Sequence, residues 1–234
     1  MNMKQSFVGN WSGALNASSE ANGQESITKV EGLYARRGKR IFDLILAVLL
    51  LPVIAPVILV LCILVRRDGG PSFFAHRRVG RNGKVFPCWK VRSMVFDAER
   101  KLRDYLAENP EAAAEWARDH KLTNDPRITA LGNFIRKSSL DELPQIWNVL
   151  RGEMSFVGPR PIVREELKKY GPYKRIYMMM APGITGQWQV SGRNDVSYDE
   201  RVNMDVEYLS SISLKTDVKI ILATASSVIN RTGK

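Results

Sequence analysis

Between Leu44 and Val65 the chain reads LILAVLLLPVIAPVILVLCILV, 22 residues without a charge, and no other stretch limits the possible folds so strongly. As a helix the run would extend roughly 33 Å, about the hydrocarbon thickness of a bilayer. It lacks an amphipathic period, which suits lipid better than the one-sided core of a soluble domain. Two features argue against a simple crossing. Basic residues flank both ends, Arg36, Arg37, Lys39 and Arg40 before and Arg66 and Arg67 after, and symmetric basic flanks suit a segment with both ends on the cytoplasmic side. Pro52 and Pro56 stand near the midpoint. Each removes a backbone donor and crowds the preceding turn, so a kink is expected there. Two arms of about 11 residues, roughly 16 Å each, could enter one leaflet and return. Spanning helices also tolerate proline, so on these residues alone re-entrant and spanning arrangements stand level.

The flanking segments suggest three parts. Residues 1–35 are polar and small, including SGALNASSEANGQESITK, and read as a disordered tail. No apolar stretch follows Met1 closely enough for a cleavable signal peptide. Residues 36–67 hold the apolar run with its basic flanks, and 68–234 supply the material for a catalytic domain. Hydrophobic content of 44% supports a packed core, while a net charge of +11 implies an anionic partner: phosphate, lipid headgroup or nucleic acid. Two cysteines, Cys62 and Cys88, make no disulfide framework, and two histidines, His76 and His120, make a histidine-rich zinc site untenable.

After the apolar run, Asn82-Gly83 signals a type I′ hairpin turn. The hairpin carries Arg77, Arg78, Arg81, Lys84, Lys90 and Arg92. These could form a solvated strand face or an anion site, with Lys90 a candidate phosphate ligand. Helices are expected over 96–108, over 110–122 with Asn109 as N-cap and Pro110 in the first turn, over 142–150, over 161–180 with a break at Gly171-Pro172, and over 199–230 with a break near Ser210–Ser213. KKYGPYKRIYMMM has the composition of an interfacial helix, although ordinary packing explains it equally well. The expected fold is mainly α with a small β-hairpin, an α+β arrangement.

The candidate chemistry lies in RKSSLDELPQIWNVL. Asp141 could serve only as an N-cap, with Glu142 in the first helical turn. The surrounding residues favour more. Arg136 and Lys137 precede the acids, and Gly158-Pro159-Arg160-Pro161 fixes a rigid turn bearing one arginine. PGITGQWQVSGRNDVSYDER follows as a glycine-rich loop with Arg193 and Asn194. Arginines pair bidentately with phosphoryl oxygens. A carboxylate among them can bind Mg²⁺ that bridges phosphates or attack phosphorus itself. The sequence shows no aromatic stacking platform or recognition helix, so nucleic acid is not expected as partner.

KRIFDL from Lys39, HRRVGRNG, KVRSM, DPRIT, RKSSLDELPQIWNVLRGEMSFVGPRP, PGITGQWQVSGRN and DVKI together resemble the bacterial sugar transferase family, the monotopic polyprenyl-phosphate hexose-1-phosphate transferases, and within it the exopolysaccharide-initiating branch. The resemblance implies transfer of a hexose-1-phosphate, often galactose-1-phosphate, from a UDP-hexose to undecaprenyl phosphate at the cytoplasmic face of the bacterial inner membrane, with release of UMP. It implies Asp141 as nucleophile of a covalent phosphosugar intermediate, Glu142 completing the dyad, Mg²⁺ held at Asp141, Arg136 near the polyprenyl phosphate and Arg160 as a phosphate ligand. Asp217 of DVKI matches a recurrent family acid whose role stays open. The family's membrane helix is re-entrant and broken at a Ser-Pro pair; here Pro56 matches the proline and Ala55 replaces the serine. Direct transfer with Asp141 as metal ligand only, a membrane-tethered lipid-binding module and a homodimer remain open from sequence.

Overall fold

The computed structural model describes residues 32–191 and 196–229; the polar tail through residue 31 lies outside them. A helical turn, Tyr34–Gly38, leads into the apolar helix α1 (Lys39–Val65). The chain stays helical through Pro52 and Pro56, so the expected change at the prolines is not an interruption of the helix. The two residues stand four apart and therefore share one face. Each withholds one backbone hydrogen bond there, and the rest of the ladder carries the helix through.

The body that follows grips α1 at both ends. Near the start, Arg40 donates to the carbonyls of Val149 and Leu150, two of the last carbonyls of α5 (Gln145–Arg151), where a helix end leaves acceptors short of partners; the Val149 carbonyl also takes the Gly152 amide. Asp43 accepts from Ser155 Oγ at 3.0 Å and from the Phe156 amide at 3.1 Å, and Ala47 is completely buried. Near the end, Leu61 and Val65 pack with Val91 and Ile135, and Ser72 Oγ donates to the Cys62 carbonyl. Arg92 donates to the Val65 carbonyl while engaging Asp68 through both Nη atoms. Along the same helix Ile45, Val48, Leu49, Val53, Leu59, Val60 and Ile63 are exposed, an apolar surface that only lipid or another apolar partner would leave unpenalised.

β1 (Phe73–Val79) and β2 (Val85–Val91) form the antiparallel hairpin. The Lys84 amide donates to the Arg81 carbonyl, and the two residues between, Asn82 and Gly83, have φ of 59° and 73°, as a type I′ turn requires. Helices α2 (Ala98–Glu108) and α3 (Pro110–Asp119) follow. Asn109 stands at the N-cap position of α3, but its side chain makes no capping bond. It donates instead to the Tyr105 carbonyl at the end of α2. Beyond α4 (Ala130–Lys137) and α5 comes β3 (Ser155–Val157), which pairs in parallel with β4 (Gly183–Thr185). β4 and the short helix α7 (Gln187–Ser191) occupy sequence read as a glycine-rich loop, and β3 runs into the Gly158–Pro161 turn.

The segment read as one broken interfacial helix is a 3-10 stretch, Glu166–Tyr173, interrupted at Gly171, followed by α6 (Lys174–Met179). Two of its aromatics face inward, Tyr170 and Tyr177, buried with Val79, Ile162 and Val202, while Tyr173 is exposed. Tyr170, Tyr177 and Met180 of KKYGPYKRIYMMM thus build core, as the ordinary-packing reading allowed. α8 (Tyr198–Ser210) begins with a reciprocal Ser197–Glu200 capping box. α9 (Leu214–Ile229) packs beside the parallel pair, with Thr185 and Thr224 hydroxyls 2.7 Å apart.

Candidate active site

Close contacts at three glycines set the frame. The amide of Gly132 donates to Thr129 Oγ1, and a Cβ at Gly132 would lie 1.8 Å from the Ser93 carbonyl oxygen. α4 therefore rests directly on the strand end beyond β2, and Arg136 Nε reaches Ser93 Oγ at 2.7 Å. At the other wall a Cβ on Gly158 would meet the Ala181 carbonyl oxygen at 2.4 Å, and one on Gly183 the Gly158 amide nitrogen at 2.2 Å. The proline-flanked arginine turn and the PGITG segment can approach this closely only as glycines.

Asp141 and Glu142 lie on a 3-10 turn, Leu140–Glu142, ahead of α5. α5 begins only at Gln145, with Pro144 as N-cap residue, so Asp141 is not the helix cap the sequence allowed. Ser139, just before the turn, has φ 57°, a left-handed conformation costing a non-glycine residue about 1 kcal/mol. The strained turn leaves Asp141 buried and pointed at β2. Lys90, 51 residues earlier, bridges both acids: Nζ lies 3.2 Å from Asp141 Oδ2 and 2.7 Å from Glu142 Oε1. Asn148, wholly buried on α5, holds β2 in place for this contact. It accepts from the Trp89 amide and donates to the Pro87 carbonyl and to Glu153.

The electrostatics follow from this packing. Burial raises the pKa of Asp141 above the ordinary carboxylate value; Glu142 adds to the rise, while Lys90 and Arg136 oppose it. Burial works against the Lys90 charge too, but Glu142 and Asp141 outweigh it and hold the ammonium above its ordinary value. Arg160 is exposed on its turn. Its charge, like those of Lys90 and Glu142, bears on the buried Cys88 thiol, whose pKa burial pushes up to about 11. Lys90, Asp141, Glu142, Arg136 and Arg160 are thus brought to one region. Arg193 and Asn194 lie outside the described residues.

Asp217 does not join this group. It is fully buried on α9 and accepts from Tyr34 Oη, Lys39 Nζ and Tyr208 Oη at 2.7, 2.7 and 2.6 Å. It clamps the start of the apolar helix to the body. Arg127 of the DPRIT block is likewise committed elsewhere, forked onto Asp125 and stacked over Trp116. Sequence reading passed over Ser93 and Asn148, and only the β2 register with its neighbours reveals them.

Among the described residues no three His, Cys, Asp or Glu side chains converge on a point, so an all-protein metal cage is absent there. Mg²⁺ commonly takes one or two carboxylates and completes its shell with substrate phosphates and water. The Asp141–Glu142 pair fits that mode.

Fold and site together define an apolar-helix-anchored body with a carboxylate pair, one member buried, among cations, an arrangement suited to phosphate chemistry. A family model described as "Bacterial sugar transferase" matches residues 34–231, and the chain belongs to that family. It is 53% identical over 195 residues to a protein named undecaprenyl-phosphate galactose phosphotransferase from Salmonella typhimurium, covering 83% of this chain and 41% of that one. It is 46% identical over 191 residues to the exopolysaccharide production protein ExoY of Rhizobium meliloti, covering 81% of this chain and 84% of ExoY. A UDP-glucose:undecaprenyl-phosphate glucose-1-phosphate transferase of Escherichia coli is 37% identical over 195 residues. The chain thus spans about two fifths of the Salmonella relative and most of ExoY.

Proposed function

We propose that the protein transfers a hexose-1-phosphate, with galactose the favoured sugar, from a UDP-hexose to undecaprenyl phosphate, the first membrane step of exopolysaccharide synthesis. The observation that carries this reading is the pair of buried Asp141 and half-buried Glu142 bridged by Lys90. It sits on a body that holds both ends of an apolar helix. The relatives' names supply the substrate class, and the galactose names accompany the higher identities, 53% and 51% against 37% for the glucose-named relative.

In the proposed chemistry an Asp141 oxygen attacks the phosphorus that bears the hexose. The bond from that phosphorus to the bridging oxygen breaks, and UMP leaves with the electron pair. An oxygen of undecaprenyl phosphate then attacks the same phosphorus and Asp141 departs as a carboxylate. Burial favours the role, because a carboxylate stripped of water is more basic and more nucleophilic. Lys90 keeps the adjacent acids from repelling an anionic substrate, and Arg136 and Arg160 supply charge for phosphoryl oxygens. Mg²⁺, held by Asp141 and the substrate diphosphate, would spread negative charge as it builds. Splitting the transfer lets each anion meet the enzyme separately.

The docking of both α1 ends on one body supports a membrane-inserted segment that returns to the side it left, with the catalytic domain at the cytoplasmic face of the inner membrane. Cysteines placed before Lys39 should label only from the cytoplasm; periplasmic labelling would make the segment a crossing.

The nucleophile is tested by mass. Protein given UDP-galactose and Mg²⁺ without lipid acceptor should gain one hexose phosphate on the Asp141 peptide and release up to one equivalent of UMP. Asp141→Asn should do neither. An unmodified peptide from a preparation that turns over with lipid would favour direct transfer.

A further inference from the structure

The hairpin face that presents Lys90 also presents an imidazole that the reaction above leaves unused. Directly opposed residues of an antiparallel pair share a face, and the face repeats every second residue. Phe74 opposes Lys90, His76 opposes Cys88 and Arg78 opposes Phe86, so His76 stands on the Lys90 face, one pair along. The residue is accessible to solvent over part of its surface, and one ring nitrogen is engaged. Arg78 Nη2 lies 3.1 Å from His76 Nδ1, and Arg78 is braced from the other side by Glu166 at 3.6 Å. A guanidinium only donates, so Nδ1 must be the acceptor and the ring proton must sit on Nε2. The charged groups around the ring are Arg78 on its own strand, Lys90 on β2, and Glu165 and Glu166 at the start of the 3-10 stretch. Burial and then Arg78 hold the imidazole below its ordinary pKa, while the two glutamates act in the opposite sense.

Beside a site rich in full charges, this is a neutral N–H donor with a set direction. Cations suffice for phosphate, whereas a neutral oriented donor is what discriminates one hydroxyl from its absence or inversion. The hexose is bonded to the phosphorus that Asp141 attacks, so it must lie within a few ångströms of the Lys90-bridged dyad.

We propose that His76 is a specificity residue for the donor, its Nε2–H donating to a hydroxyl of the hexose, with Arg78 as the positioning residue that fixes the tautomer. This inference rests on the proposed use of a UDP-hexose, and not on whether transfer is covalent or direct.

Two substitutions separate recognition from structure. The amide nitrogen of glutamine reaches about where histidine Nε2 lies, whereas an asparagine oxygen reproduces the Nδ1 acceptor and carries no donor at the Nε2 position. His76→Asn therefore keeps the Arg78 contact and loses the donor, and His76→Gln does the reverse. The measurement is titration of purified protein with UDP-galactose and, separately, with UDP, without lipid or Mg²⁺ so that no transfer follows binding. His76→Asn should weaken UDP-galactose binding about tenfold, the scale of one lost hydrogen bond, and leave UDP binding unchanged. His76→Gln should stay within about threefold of wild type for both. Weakening by Gln with rescue by Asn would make His76 a brace for Arg78 and overturn the proposal. Equal weakening of UDP would place the contact on the nucleotide and overturn the hexose assignment. Wild-type protein that binds UDP but no UDP-hexose more tightly would remove the sugar contact itself, while failure to bind either would bring down the parent reading with it.

Discussion

Replacing Asp217 with alanine should cost the protein a large part of its thermal stability. The carboxylate has no exposed surface and accepts from one ammonium and two phenolic hydroxyls, all within 2.7 Å. Lys39 is itself only 14% exposed in its side chain. Deleting Asp217 strands that charge with little water to replace the partner and leaves Tyr34 and Tyr208 without their acceptor. Removing one member of a buried pair costs about 3–5 kcal/mol. For a chain of this size each kcal/mol shifts Tm by about 2–4 °C, so the expected drop is roughly 6–20 °C. Tryptophan fluorescence during heating in detergent would measure it. Coupling supplies a stricter test. Lys39→Met should cost less in the Asp217→Ala background than in wild type, by on the order of 1–3 kcal/mol. Strictly additive losses, or an Asp217→Ala Tm within about 2 °C of wild type, would refute the clamp.

Asp205, buried against Tyr170 Oη at 2.7 Å, has its pKa raised by burial to about 7. A raised folded-state pKa stabilises below the unfolded carboxylate value and loses that contribution as pH climbs through 7, so stability should fall by a few kcal/mol from about pH 4 to pH 8. Asp205→Asn should flatten that slope in pH-dependent melting. Gly132→Ala would drive a methyl into the Ser93 carbonyl oxygen; a loss of about 1–3 kcal/mol in denaturant unfolding and reduced turnover through a displaced Arg136 are expected. Arg160→Lys keeps the charge and gives up the fork, so turnover should drop at least about tenfold in a UMP-release assay, whereas a wild-type rate would make Arg160 a point charge only.

Local chemistry made some of this legible and distance hid the rest. The Asn82-Gly83 turn, the helix ends at Ser210–Ser213 and the break at Gly171 are encoded by neighbours in sequence, and they appear where expected. Asp141 beside Glu142, flanked by arginine, marked the candidate site, yet its local geometry misled. Pro144 and a left-handed Ser139 make a 3-10 turn where a helix start was equally consistent with the letters. β3 and β4 hold three residues each, too few to show a period. Lys39 meets Asp217 across 178 residues, and no local pattern announces such a pairing. The tyrosines and methionines of 170–180 illustrate the limit of composition, which cannot distinguish a core-facing aromatic from one that meets lipid.

The body that carries the carboxylates also holds the apolar helix at its beginning and at its end, so if that helix enters a bilayer as proposed, it carries the dyad's position with it. Depth of insertion and height of the dyad are a single coordinate. On the function proposed above, a water-soluble donor would approach from the whole hemisphere above the membrane, whereas a polyprenyl acceptor would arrive by lateral drift within the leaflet, at the one level the helix dictates. Encounter with the second substrate is then a search in two dimensions, governed by lipid fluidity and leaflet thickness more than by concentration in the cytoplasm.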